Sequence, residues 1–144
     1  MVDYTEFRGL NTKKKWVYGS LVRTTTGLKH KQAQHTETWI VESAFGNGGW
    51  FNVLKRQYVK PETVCQYSGL NSKDGVKIYD GDIVYIAGKG TCLIVFDGLV
   101  FEAEILDKPK IMDDLFYLHE LDDFSDLEKV VGNMHDTPEL LKEH

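Results

Sequence analysis

The chain predicts a mainly β protein, a β-rich α+β one at most, built from antiparallel hairpins. Three observations carry that expectation. Short runs of β-branched and aromatic residues recur along the sequence, punctuated by Gly, Asn and Asp. Between residues 83 and 105 three such runs follow one another across brief glycine-containing turns. The clearest helix start, Thr137-Pro138, comes close to the end.

The opening hairpin is predicted from Phe7-Arg8-Gly9 and from Lys15 to Arg23, with Gly9, Asn11 and Thr12 supplying turn chemistry. On its second strand Trp16, Tyr18 and Ser20 share one face and Val17, Gly19 and Leu21 the other. Both faces carry apolar groups, as in a largely buried strand. Thr24 to Thr38 shows neither helical nor strand period and reads as an exposed loop or ragged hairpin. Trp39-Ile40-Val41 and Trp50 to Leu54 predict a second hairpin about Gly46-Asn47-Gly48-Gly49.

Glu62 to Tyr67 is a further strand candidate ending in a turn at Ser68-Gly69. Polar turns follow at Asn71 to Gly75 and at Asp80-Gly81-Asp82. The meander then comprises Ile83–Ile86, Thr91–Phe96 and Val100–Ile105, with Gly88-Lys89-Gly90 and Asp97-Gly98 between. Short strands with glycine-centred turns are how small SH3-like barrels are built, so a partly closed barrel is expected in this half. Phe116-Tyr117-Leu118 predicts one more strand, Ser125 with Glu128 a capping box, Val130 to Asn133 a terminal strand or turn, and Pro138 to Glu143 a short helix.

With 144 residues, 42% hydrophobic and 12% aromatic, the chain is long enough to bury a core without disulfides or metal, and one domain over residues 1–144 is expected. Charge divides it. Residues 1–60 hold ten Lys/Arg against four Asp/Glu, a net of +6, whereas residues 61–144 hold seven against eighteen, a net of −11. Such asymmetry fits a solvated surface, a nucleic-acid-facing half, an acidic partner-facing surface, or two ends attracting each other in an oligomer. No apolar run reaches the roughly 20 residues of a membrane span, and Met1 to Leu10 is no signal peptide, so a cytoplasmic protein is expected. Cys65 and Cys92 lack CxxC spacing and read as reduced, buried thiols.

Pro61 to Leu70, continuing through Lys73-Asp74-Gly75 to Ile78-Tyr79-Asp80-Gly81-Asp82-Ile83-Val84, resembles the central signature of the YopX family of phage and prophage proteins. Phe7-Arg8-Gly9 with Trp16 to Leu21 is similar to that family's opening, and Val130 to Asn133 with Thr137 to Leu141 to its close. Cys65 stands where a small residue is usual and Ser68 where Thr is usual. The resemblance implies a β-rich fold, an origin in a phage or prophage of a Gram-positive bacterium, and action in the host cytoplasm. It implies no activity and brings no catalytic or binding residue.

The chemistry of the signature is therefore judged residue by residue. Gly69, Gly75 and Gly81 sit where turns require positive φ. Asp80 and Asp82, two residues apart, fit side-chain to backbone hydrogen bonds within a turn better than a metal pair, which needs further converging ligands. His30, His35, His119, His135 and His144 show no zinc spacing, and no phosphate-cradling loop is present. No catalytic, cofactor-binding or metal residue is assigned, and no enzyme is expected.

Lys13-Lys14-Lys15 beside Trp16 and Tyr18 is the one constellation with binding chemistry, since lysines neutralise phosphates and aromatics stack on unpaired bases. Against it, the lysines could be a solvated loop with Trp16 and Tyr18 in the core. Two expectations follow: a non-enzymatic interaction protein with a host or phage protein partner, conceivably also a homo-oligomer, or a nucleic-acid accessory protein using the basic half.

Overall fold

The computed structural model describes residues 6–26, 35–45, 52–106 and 115–142, with backbone alone at 26, 35, 43–45, 52–55 and 142. The fold is mainly β, and it divides into two compact units, one within Thr5–Cys65 and one within Gln66–His144. That seam lies five residues beyond the change of charge at residue 60.

In the N-terminal unit β1 (Phe7–Leu10), β2 (Trp16–Thr26), β3 (His35–Phe45) and β4 (Asn52–Tyr58) run antiparallel in the order β4-β3-β2-β1. The opening hairpin is as expected, but Gly9 is not part of its turn. It lies inside β1 opposite Val17, and a Cβ there would stand 2.9 Å from the Val59 Cβ, so its role is close packing. The turn is Asn11 to Lys15, where the Asn11 backbone N–H donates to the Lys15 carbonyl at 3.0 Å. β2 is buried on one face, not both. Val17 is buried with Ile40 and Val59, and Leu21 packs against them, whereas Tyr18 and Val22 are exposed.

Of the two readings offered for Thr24 to Thr38, the hairpin holds: Thr24 to Thr26 and His35 to Thr38 are strand, and residues 27–34 lie outside the described residues. Thr24 pairs with Glu37, Thr25 with Thr36 and Thr26 with His35. Sparse hydrophobicity left the loop alternative open, since backbone ladders need no apolar side chains. The second hairpin is present, with Phe45 opposite Asn52, and its glycine turn lies outside the described residues. β4 also runs four residues past Leu54, through Lys55, Arg56 and Gln57 to Tyr58.

Pro61–Thr63 is a single 3-10 turn, not the start of a strand, because proline pre-sets the turn and the Val64 N–H closes it on the Pro61 carbonyl. β5 (Cys65–Asn71) follows, its first residue closing the N-terminal unit. Ser68-Gly69 does not end this strand. Against β6 (Lys77–Tyr79) the register shifts between Tyr67 and Asn71, so the glycine, at φ 84°, marks a bulge. Gly75 and Gly81, at φ 87° and 86°, are turn glycines as expected.

The C-terminal unit carries the meander β7 (Asp82–Ile86), β8 (Gly90–Phe96) and β9 (Phe101–Ile105), flanked by β10 (Leu115–Tyr117) and β11 (Leu127–Asn133). The order is β10-β9-β8-β7-β11, all antiparallel, so among the described residues the expected partly closed barrel is realised as a five-stranded sheet without closure. Ile78, Val84, Ile86, Ile94, Leu118 and Leu127 are fully or almost fully buried at its core, together with Cys92.

Leu118 belongs to a 3-10 turn rather than to the strand before it. Ser125 is not a helix cap either: Asp123 accepts the Ser125 N–H at 2.9 Å, and after one 3-10 turn the chain enters β11. The terminal helix is α1 (Glu139–Lys142). Among the described residues no helix is long and apolar enough to cross a membrane.

Candidate functional site

Two clefts, one in each unit, gather the side chains with binding chemistry. The first grows from the lysine turn. The Asn11 side-chain oxygen accepts the N–H groups of Lys13 and Lys15 at 2.9 and 3.0 Å, and its amide donates to the Gln57 side-chain oxygen at 3.0 Å. One asparagine therefore shapes the cationic turn and ties it to β4. Lys14 takes the left-handed conformation that the turn demands, at φ 59°.

Lys13 and Lys15 line this cleft of about 590 Å³ together with Trp16, Trp39, Arg56 and Tyr58. Register explains the grouping: Val22, Trp39 and Tyr58 form one cross-strand row, and Arg56 lies opposite Val41. The Trp39 and Tyr58 ring centroids are 3.4 Å apart with planes at 31°, and the Arg56 guanidinium lies 4.7 Å from the Trp39 centroid. Arg8 is placed likewise over Trp16 at 4.5 Å. The Tyr58 hydroxyl donates to Glu37 at 3.2 Å; partial loss of solvent, and then that bond, push its pKa above the ordinary value.

Of the sequence-selected residues, Lys13, Lys15 and Trp16 line this cleft and Lys14 is exposed beside them. Tyr18 is 44% exposed and Trp16 half-buried, so neither fills the core. Trp39, Arg56 and Tyr58 were missed. The polar run Lys55-Arg56-Gln57 carries no apolar alternation, so no periodic signal announced that β4 continues to Tyr58.

The second cleft, about 520 Å³, lies in the C-terminal unit, and the signature segment supplies Gln66, Ser68, Gly69 and Leu70 to its lining. Phe96 and Phe101, directly opposed on β8 and β9 with ring centroids 4.7 Å apart, add an aromatic wall. Its lip is unusual. Asp97 accepts the N–H groups of Leu99 and Val100 at 2.8 and 2.9 Å, and this turn holds Leu99 out at 89% exposure. Those bonds, that from Val100 foremost, keep the Asp97 carboxyl below its ordinary pKa. Phe124, from the turn capped by Asp123, lines the cleft at 45% exposure. The sequence reading identified Asp97-Gly98 as a turn but not the leucine it displays.

Asp82 performs the expected turn chemistry, whereas Asp80 instead ties the turn to β8, sixteen residues on. Asp82, 1% exposed, accepts the Tyr79 N–H at 2.8 Å, and Asp80 accepts the Phe96 N–H at 3.0 Å. Cys65 and Cys92 are buried thiols, donating to the carbonyls of Thr63 and Gly90.

No curated protein matches the chain. The crystal structure of protein EF1440 from Enterococcus faecalis is similar, at 24% identity over 94% of this chain and 96% of that one, with a TM-score of 0.47. The family described as YopX protein matches residues 6–142, which takes in both hairpins, the signature turn, the meander and the terminal helix, and the chain belongs to the YopX family.

Proposed function

We propose that the chain is a non-enzymatic accessory protein of phage or prophage origin, acting in the bacterial cytoplasm by holding a segment of another protein in the C-terminal cleft. The observation that carries this reading is the exposed pair Leu99 and Phe124 beside an apolar cleft, Leu99 being held out by a hydrogen-bonded turn. Keeping a leucine in water on an ordered turn forgoes the stabilisation of burying it, and such patches mark interaction sites.

Charge defines the partner. Residues 66–144 hold seven Lys/Arg against seventeen Asp/Glu, a net of −10. The acids Asp97, Glu120, Asp122 and Asp123 are exposed and lie within two residues of the lining residues Leu99, His119 and Phe124 in sequence. A segment with leucine or phenylalanine anchors flanked by lysine or arginine complements both features, through apolar burial at the centre and charge attraction at the rim.

Calorimetric titration with 12-residue peptides carrying two leucines among lysines tests this against the same peptides with glutamate for lysine. The basic set is expected to bind, to weaken as salt rises, and to lose at least tenfold in affinity to Leu99→Asp. Equal binding of both sets, indifference to Leu99→Asp, or a self-associating chain whose dimer Leu99→Asp abolishes would overturn it.

A further inference from the structure

We infer that the N-terminal cleft is a second, independent binding site, for single-stranded nucleic acid. It lies in a different unit from the C-terminal cleft and shares no residue with it.

The inference rests on what the fold adds to the lysine turn. Lys13 and Lys15 line the cleft with Arg56, which comes from β4 more than forty residues later, and Glu42 on the same lining leaves a net of two positive charges there. Residues 5–65 hold ten Lys/Arg against four Asp/Glu, a net of +6. The chain as a whole is at −5, but screening over about 8 Å at physiological salt makes the local sign the one that a phosphate meets.

The cations surround rings. Tyr58 is 48% exposed and backed by Trp39, which is itself buried and braced by Arg56. A base stacking on Tyr58 therefore meets a surface already ordered, so little side-chain entropy is lost on binding. Stacking on an aromatic face with lysine and arginine along the backbone is how sequence-tolerant single-strand binding works, since every base offers a π face. A duplex hides those faces, so its bases cannot use Tyr58.

The Asn11 side chain is a positioning group. It fixes the backbone of Lys13 and Lys15 and anchors the turn to Gln57 on β4, beside the strand residues that carry the rings.

Fluorescence anisotropy of the full chain with a labelled 12-nucleotide oligothymidine tests the inference, with a duplex of the same length and polyglutamate as competitors. Single-strand binding is expected, with log K falling against log salt at a slope of about −2, the value for three cations on a single strand. Lys13→Gln with Lys15→Gln should flatten that slope to about −0.7, one cation's share. Tyr58→Ala should weaken binding about tenfold while leaving the slope in place, and Tyr58→Phe should restore it. No binding at 50 mM salt, duplex or polyglutamate competing as well as single strand, or Tyr58→Ala binding as the parent does, would each overturn the site. Leu99→Asp, in the other unit, should leave this binding unchanged, which separates its failure from that of the protein-binding reading.

Discussion

Trp39 and Tyr58 stand directly opposite each other on β3 and β4 with ring centroids 3.4 Å apart, and the Tyr58 hydroxyl reaches Glu37. Aromatic cross-strand pairs fix register as well as contributing packing. Tyr58→Ala is expected to lower the denaturant midpoint of unfolding and to change the near-ultraviolet circular dichroism of the buried Trp39. Tyr58→Phe should leave both near the parent, because the ring rather than the hydroxyl makes the contact. Equal damage from the two variants would shift the role to the Glu37 bond.

Asp82 is buried at the family's signature turn and holds the Tyr79 N–H. Removing the acceptor leaves that donor buried without it, at a cost of about 1–3 kcal/mol. Asp82→Ala should show such a loss in chemical denaturation, and by the same amount with magnesium, calcium or zinc present or absent. A loss that appears only with a cation would identify a metal site instead of a turn.

Gly19 sits in β2 at φ 155°, and a Cβ built there would lie 2.2 Å from the Val41 carbonyl oxygen. Neither backbone can yield without breaking the β2–β3 ladder. Gly19→Ala should destabilise the protein by about 2 kcal/mol or more, seen as a lower melting temperature. A neutral result would mean that the ladder tolerates a shift at this point.

Asp97 and Glu102 are hydrogen-bonded carboxyls at the β8–β9 turn, with opposite displacements. Backbone N–H groups hold Asp97 below its ordinary value, whereas loss of solvent, then the hydrogen bond with Asp97, then its charge raise Glu102. The signs differ accordingly. Asp97 contributes stability that is present above its unfolded pKa and lost as pH falls through the lowered folded one. Glu102 contributes stability that is present below its unfolded pKa and lost as pH rises through the raised folded one. Carboxyl-carbon NMR should show Asp97 titrating at lower pH than Glu102, and Glu102→Gln should abolish the second loss. A Glu102 that titrates like an exposed glutamate would refute the pairing.

The fold was largely legible because its turns are spelled in glycine, asparagine and aspartate. The meander between Asp82 and Ile105 is the clearest case, with its β-branched and aromatic strands and its breaks at Gly88 and Gly98. What escaped was non-local or polar. Thr24 to Thr26 stayed open between loop and hairpin, because its pairing with Thr36 and His35 is one that no local pattern displays. Ser68-Gly69 reads as a turn in isolation and is a bulge because β6 continues the ladder beyond it.

The site was legible only in its first member. Lys13, Lys15 and Trp16 stand together in sequence, whereas Arg56 and Tyr58 reach the same cleft through the β3–β4 register. The C-terminal cleft joins segments as distant as Gln66 and Phe124, and periodicity carries no information about such a meeting.

The central claim is that the C-terminal cleft receives apolar anchors of a basic protein segment, and amide NMR of the labelled chain titrated with a lysine-flanked dileucine peptide tests it most directly. The account predicts saturable shifts at Ser68, Gly69, Leu70, Leu99 and Phe124, with resonances of β3 and β4 unmoved. Shifts spread over the acidic surface without saturation, or absent from those five residues, would contradict it.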